Sequence, residues 1–496
     1  MKNISYVSTR GGDEKKTSAE AIKQGLCLNG GLFMPDSIPS FTEEDLISLA
    51  GSSYAERAAK IMSRFLTDYD YEELLSDCRE AYSDSRFRGG CAPIKNIDVL
   101  RVLELWHGPT CAFKDMALQI MPRLLSRALG MTGENRTALI LVATSGDTGK
   151  AALEGYKDVA QTKIQVFYPV DGVSKIQKKQ MRTQTGNNVS VIAIKGNFDD
   201  AQSGVKAIFS SEATRKELEN NGYFFSSANS INWGRLVPQI VYYVSAYCDL
   251  LNSGEIKYGD KVNICVPTGN FGNIFAAFLA KKAGLPFDRF ICASNRNHVL
   301  TDFLSTGVYD RNRSFYPTIS PSMDILISSN LERLLYLVCG PENTAKYMSS
   351  LAKTGKYEIS KKEFETVKES FRGGFATEEE TKATVKKIFD SYGYLIDTHT
   401  AVGIKCALEY VEKTGDRRPV ITASTASPYK FAPDVLLALT GEKQNDEFGA
   451  AEELSKLTRT EVPVPLADLK NREARFSETV EKTEMADAVL RFAGIK

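Results

Sequence analysis

Apolar residues change their spacing along the chain, and the changes divide it. Residues 1 to about 95 read as mostly helical. Thr42-Glu43-Glu44-Asp45 opens an amphipathic stretch with a capping residue and early acids, and acids then mix with aromatics through Tyr69, Tyr71 and Tyr82. Asp98-Val99-Leu100-Arg101-Val102-Leu103-Glu104-Leu105 reads as a strand. From there short apolar runs alternate with helical segments: Ala138 to Ala143, Lys163 to Tyr168, Val189 to Ile194, Tyr223 to Phe225, Val262 to Val266, Phe290 to Ala293 and Val420 to Ala423. Such runs, rich in Val, Ile or Phe, suit strands buried on both faces. The helical stretches between them predict βαβ units, parallel sheets and right-handed crossovers. From about 300 to 395 charge-rich segments such as Lys361-Lys362-Glu363-Phe364-Glu365 predict a helical elaboration with solvated faces, inserted between two strands.

Two predicted strand-to-helix junctions carry glycine. The first follows Val262 to Val266 and reads Pro267-Thr268-Gly269-Asn270-Phe271-Gly272-Asn273, before an alanine-rich helix. Glycines let backbone amides approach a ligand, and a helix N-terminus attracts anions. It is neither a Walker loop nor a dinucleotide fingerprint, and its pattern leaves a phosphate cradle and a plain turn both open. The second junction, Thr144-Ser145-Gly146-Asp147-Thr148-Gly149, places three hydroxyls beside free helix amides. That suits a carboxylate or phosphate oxygen, or simply a capped helix. Two such loops at strand C-terminal ends define the crevice where α/β proteins bind ligands. A third segment, Trp106-His107-Gly108-Pro109-Thr110-Cys111-Ala112-Phe113-Lys114-Asp115, sets one lysine among apolar groups near a helix start. If the lysine is buried there, its ammonium is disfavoured and the amine is free as a nucleophile toward an aldehyde; the pattern leaves the commoner solvated surface lysine open as well.

Composition narrows the classes. The 496 residues suggest about three domains, and 62 basic against 62 acidic side chains leave no broad electrostatic footprint for nucleic acid. Nine cysteines without CxxC spacing fit reduced, buried thiols. Three dispersed histidines predict no metal site. No signal sequence and no long apolar span is evident, so a cytoplasmic enzyme is expected.

Taken in order, the His107–Asp115, Thr144–Gly149 and Gly269–Asn273 segments resemble those of the threonine synthases. Tyr6-Val7-Ser8-Thr9-Arg10-Gly11, Gly30 to Pro35, Gly196 to Asp200, Asn229-Ser230-Ile231-Asn232-Trp233-Gly234-Arg235 and Ser424-Thr425-Ala426 extend the likeness over most of the chain. The length and the 300–395 elaboration are similar to the long bacterial and fungal form.

The resemblance implies an α/β fold: two open parallel-sheet lobes of the fold type II pyridoxal-phosphate (PLP) enzymes, plus a mostly helical N-terminal domain. The expected boundaries are 1–95 for that domain, 112–235 for the smaller lobe, and 96–111 with 236–496 for the larger lobe. It further implies that Lys114 is catalytic and forms the Schiff base with pyridoxal 5'-phosphate. Gly269, Asn270, Phe271, Gly272 and Asn273 would hold the cofactor phosphate, Thr425 would face the pyridine nitrogen, and Asp147 would lie on the cofactor's 3′-oxygen side. Thr144, Ser145 and Thr148 would receive the substrate carboxylate, and Ser230, Asn232 and Arg235 the substrate phosphate.

The implied substrate is O-phospho-L-homoserine, converted with water to threonine and phosphate by γ-elimination and β-addition. A monomer or weak homodimer with no nucleic-acid or membrane partner is expected. Two departures stand out. Ser427 replaces the usual histidine after the Thr425 motif, and Lys150, where alanine is common, reads as a solvated residue. The first keeps open a phospho-lyase making 2-oxobutyrate; a non-catalytic phosphometabolite binder is a separate alternative, against which the intact Lys114 argues.

Overall fold

The seven apolar runs fold as strands, and they sort into two sheets. The computed structural model describes residues 3–144 and 146–495. In the smaller lobe Val189–Lys195, Thr162–Pro169, Thr137–Ala143 and Tyr223–Ser226 lie side by side, all parallel. In the larger lobe the order is Phe371–Phe375, Phe287–Ser294, Val262–Pro267, Val420–Ser424, Leu100–Glu104 and Ile94–Ile97. These too are parallel, except that the edge strand Ile94–Ile97 runs antiparallel to Leu100–Glu104. The hairpin between them turns at Asp98, whose φ of 50° lies in the left-handed region that a short aspartate side chain tolerates. The predicted strand from Asp98 is therefore shorter at its start.

Two further strands depart from expectation. Phe371–Phe375 sits inside the stretch read as a helical insertion and extends the larger sheet beside Phe287–Ser294. Its Phe-Arg-Gly-Gly-Phe sequence hides it, because glycine is a poor strand former. Gly373 is needed, since a Cβ there would lie 2.8 Å from Thr301 Cα, and Gly374 is tightly packed, with a Cβ position 3.2 Å from Cys406 Sγ. The second is Thr479–Glu481, which pairs in parallel with Val189–Lys195 and so belongs to the smaller sheet, not to the 236–496 lobe. The following helix Met485–Ala493 packs Val489 and Leu490 against Leu139, Leu141, Phe167 and Ile192. The sheets thus require three crossings between lobes, after Glu104, after Ser226 and after Ser424.

The N-terminal region is mostly helical, with helices Ser18–Gln24, Glu43–Ala50, Tyr54–Ser63 and Tyr71–Ala81. Thr17, Thr42 and Ser53 each close a capping box with an acid three residues on. A two-stranded antiparallel ribbon, Tyr6–Ser8 with Phe33–Pro35, was not anticipated. Helices Glu43–Ala50 and Tyr54–Ser63 lean on the long helix Trp233–Asn252, which makes the second crossing. Buried Arg57 fixes that contact. Its guanidinium donates to the Leu49 and Ala50 carbonyls at 2.8 Å each, and to Ser245 Oγ at 2.7 Å and Asp249 Oδ1 at 2.5 Å on the long helix.

No described helix is long and apolar enough to cross a membrane, and no group of metal-ligating side chains is present among the described residues.

Candidate active site

Three strand ends converge on Lys114. The chain leaves Leu100–Glu104, turns through Gly108-Pro109, and enters the short helix Asp115–Leu118 with Lys114 at its cap. This segment is stitched to the end of the Val420–Ser424 strand. Leu105 N donates to Ser424 O (3.0 Å), Phe113 N to Thr425 O (2.8 Å) and Ser427 N to Cys111 O (3.1 Å). Lys114 and Thr425 are therefore held together by backbone. The turn itself is locked by Asp115, which accepts from Thr110 N at 2.8 Å and Thr110 Oγ1 at 2.7 Å. Gly108 is required there, since a Cβ would lie 2.6 Å from the Asp115 side chain. Burial pushes the Asp115 carboxyl up to about 6, against the pull of those two hydrogen bonds.

Lys114 is 9% exposed, with Nζ 4.8 Å from the centre of the Phe113 ring and 3.4 Å from Asp147 Oδ2. Burial holds its ammonium below the ordinary lysine range; Asp147 opposes that shift and the charge of Lys430 adds to it. Asp147 opens the helix Asp147–Tyr156. Burial alone would raise its carboxyl, but the Lys430 and Lys114 ammonium groups overcome this and hold it well below the usual range. Thr144 is buried, and its hydroxyl accepts from Gly146 N and Gly149 N at 3.0 Å each, capping this helix. Thr148 is half-buried beside it, and Ser145 lies outside the described residues. Lys150 is buried, not solvated, and pairs with Glu154 Oε2 at 3.0 Å.

The Gly269–Asn273 segment joins Val262–Pro267 to helix Gly272–Lys282. Phe271 has a φ of 62°, a strained setting for a bulky side chain. Its ring is anchored in the core 5.6 Å from that of Phe371, on the strand hidden by its glycines. Asn330 holds the loop through N and Nδ2 donated to Asn270 O at 3.1 and 3.0 Å, and Ser328 Oγ donates to Gly269 O at 2.7 Å. A Cβ on Gly269 would lie 2.7 Å from Ser322 O. Behind the loop Ser322 N donates to His399 Nε2 at 3.1 Å, which leaves the proton on Nδ1 to be donated to Asp397 at 2.9 Å.

Among the described residues, several donors in this region have no partner. Asn273 Oδ1 accepts from Tyr242 and Tyr243 at 2.8 and 2.6 Å, but its buried Nδ2 bonds to nothing. Arg235 is 3% exposed, donates from Nη1 to Ala228 O at 2.6 Å, and leaves a buried Nε unpaired. No carboxylate pairs with it among the described residues, and burial lowers it to about 10. The nearby Tyr156 hydroxyl is also buried and unpaired. Orphaned buried donors next to a helix N-terminus and a buried lysine suit a phosphorylated aldehyde cofactor and a phosphorylated substrate. The residues present thus fit pyridoxal phosphate.

Of the sequence-predicted residues, Lys114 is brought beside Asp147, Arg235 and Thr425, while two residues near Arg235 are placed otherwise. Ser230 is half-buried on the loop before the long helix. Asn232 is wholly occupied: Nδ2 donates to Ile22 O (2.9 Å) and Ser227 O (3.0 Å), and Oδ1 accepts from Gly234 N (2.9 Å). It caps the Arg235 helix and has no donor left for a phosphate. The sequence reading overlooked Lys430, Gln177 and Tyr156. The available signal for Lys430 was a lysine in Ser427-Pro428-Tyr429-Lys430-Phe431 directly after a buried strand.

Residues 5–82 match the family Threonine synthase N terminus, 94–425 the family Pyridoxal-phosphate dependent enzyme, and 400–490 the family Threonine synthase, C-terminal. Human "Threonine synthase-like 1" is 40% identical over 450 residues, covering 87% of this chain. The chain spans only 60% of that relative's length. The threonine synthase of Pseudomonas aeruginosa is 36% identical over 488 residues, covering 97% of this chain and 96% of its own. The crystal structure of PLP-bound threonine synthase from Brucella melitensis superposes with a TM-score of 0.87 at 36% identity, covering 99% of both chains. With three family matches in order and relatives aligned nearly end to end, the chain belongs to the threonine synthase family of pyridoxal-phosphate-dependent enzymes.

Proposed function

We propose that the protein converts O-phospho-L-homoserine and water to L-threonine and phosphate, using pyridoxal phosphate held in the crevice between the lobes. The observation that carries this reading is the Arg235 guanidinium, buried without a carboxylate partner among the described residues and near enough to Lys114 for the two charges to repel. A charge so placed is stable only if an anion arrives, and a planar guanidinium matches a phosphate in bidentate fashion.

When bound, the cofactor supplies an aldehyde that takes up an amino group and a ring that draws electron density from its α-carbon. Lys114 would anchor it, the amides of Gly269 to Asn273 and the free Asn273 Nδ2 would hold its phosphate, and Thr425 would face its ring nitrogen. Asp147 lines the same pocket. Thr148, Ser145 and the amides that Thr144 organises would receive the substrate carboxylate. Arg235 and Ser230 would take the substrate phosphate, while Asn232 fixes the helix that carries the arginine. A neutral Lys114 can accept and return protons at the substrate's Cα and Cβ. Arg235 stabilises the charge that develops on the phosphate leaving Cγ. Ser427 adds no proton relay. Its hydroxyl accepts from Tyr429 N at 3.4 Å and caps the turn Pro428–Phe431. The same reading takes the protein to be a cytoplasmic monomer or weak homodimer.

The test is a product assay on purified protein with O-phospho-L-homoserine. Threonine and phosphate in equal amounts are expected. Formation of 2-oxobutyrate and ammonia without threonine would replace this reading with a phospho-lyase, and absence of any product would leave a binding protein.

A further inference from the structure

Lys430 has no part in the roles assigned above, yet it is the most deeply buried cation of the site. Its side chain is 0% exposed, and Nζ lies 2.5 Å from Asp147 Oδ1 and 3.0 Å from Thr110 O. Asp147 is also the carboxylate that faces Lys114. The sharing is unequal. Oδ1 receives Lys430 at 2.5 Å and Gln177 Nε2 at 2.8 Å, and Oδ2 is left 3.4 Å from Lys114.

The charges facing Lys114 are few. Among the described residues Asp147 is the anion in contact with it, while Lys430 and Arg235 are cations from two other elements. Asp115, on the lysine's own helix, is turned to Thr110, and Lys150, one turn along the Asp147 helix, is paired with Glu154. One carboxylate cannot compensate two ammonium groups in a dry pocket. The shorter contact belongs to Lys430, so the carboxylate is directed to that cation and away from Lys114.

We propose that Lys430 is a positioning residue for cofactor capture: by occupying Asp147 it leaves the Lys114 amine unprotonated and free to attack the aldehyde. In that step the Lys114 nitrogen forms a C=N bond to the aldehyde carbon. The aldehyde oxygen departs as water with the two hydrogens of the neutral amine, so nothing is oxidised or reduced. Without Lys430, Asp147 would close on Lys114 and hold it as an unreactive ammonium. The inference rests on the assignment of Lys114 as the cofactor lysine.

The experiment measures capture of pyridoxal phosphate by apoprotein against pH, following the Schiff-base absorbance above about 400 nm. Lys430→Met is expected to move the midpoint of capture upward by about one pH unit or more, slowing capture tenfold at a pH below both midpoints. Lys430→Arg, which keeps the charge, should retain the wild-type midpoint. The double variant K430M/D147N removes the pair as a unit and should bring the midpoint back toward wild type. An unshifted midpoint in folded K430M overturns the proposal. So does a K430R midpoint shifted as far as that of K430M, or a double variant as shifted as K430M. Borohydride reduction and peptide mapping separate the two levels. A pyridoxyl group on a lysine other than Lys114 sinks the cofactor assignment, whereas a label on Lys114 with unchanged midpoints sinks only the role of Lys430.

Discussion

Arg235 sets stability against function at the scale of one side chain. Among the described residues its buried guanidinium has an unpaired Nε and no carboxylate partner, so the folded protein bears its desolvation in the absence of an anion. Arg235→Met is expected to leave the melting temperature unchanged or raise it. The same change should lower kcat/KM for a phosphorylated substrate roughly 100-fold or more, because charge-assisted hydrogen bonds contribute about 1.5–3 kcal/mol each. Calorimetry and steady-state kinetics on the same sample check both halves. Asp115 gives a pH signature. Its folded carboxyl is raised from the ordinary 3.8 to about 6, so the folded state binds this proton more tightly. The contribution is fully present below about pH 4 and is lost as pH rises through about 6. The stability of wild type relative to Asp115→Asn should therefore fall between those values and level off above, as denaturant titrations would record. At this scale the sequence was legible where a residue's neighbours in the chain were also its neighbours in space. Lys114 stood out for that reason, and Arg235 through the likeness of the Asn229–Arg235 segment to the threonine synthases. Lys430 did not, because its partner Asp147 lies almost 300 residues away and nothing local marks the pairing.

At the scale of elements, close approaches decide what can change. Gly155 in the helix Asp147–Tyr156 faces the end of the Lys114 helix, and a Cβ there would lie 1.9 Å from Leu118 O. Gly155→Ala must push the two helices apart, at a cost of about 2–3 kcal/mol, and displace Lys114 with them. Thermal unfolding and cofactor titration should both register the change. Gly269→Ala meets only Ser322 O at 2.7 Å, in the loop proposed to hold the cofactor phosphate. It should weaken pyridoxal-phosphate binding more than it lowers the melting temperature. Strands were readable where burial on both faces demanded continuous Val, Ile and Phe, as in Val262–Pro267 and Val420–Ser424. Phe371–Phe375 was not, because packing against Thr301 and Cys406 selected glycines that erase the strand signal. Its Phe371 nonetheless anchors Phe271 of the loop, so an element invisible in sequence supports one that was plain.

The whole molecule is organised by where the chain changes lobe. Thr479–Glu481 and Met485–Ala493 complete the smaller lobe from the far end of the chain, and Tyr223 Oη and Lys163 Nζ donate to the Ala493 and Phe492 carbonyls at 2.9 Å each. Removing residues 473–496 should therefore uncover Leu139, Leu141, Phe167 and Ile192 and yield a chain that binds a hydrophobic dye or aggregates. A sequence reading by contiguous segments could not foresee this, since a three-residue edge strand carries too little pattern to assign.

Three crossings also give the molecule a redundant tether. Proteolytic nicking of one connection would leave the lobes joined by two others, so limited digestion should produce fragments that separate on a denaturing gel yet migrate together in native size exclusion. The same redundancy bears on opening. Two plates on one hinge can swing freely, but plates joined by three non-equivalent ties keep only a narrow arc, and each departure and return of a ligand must follow it.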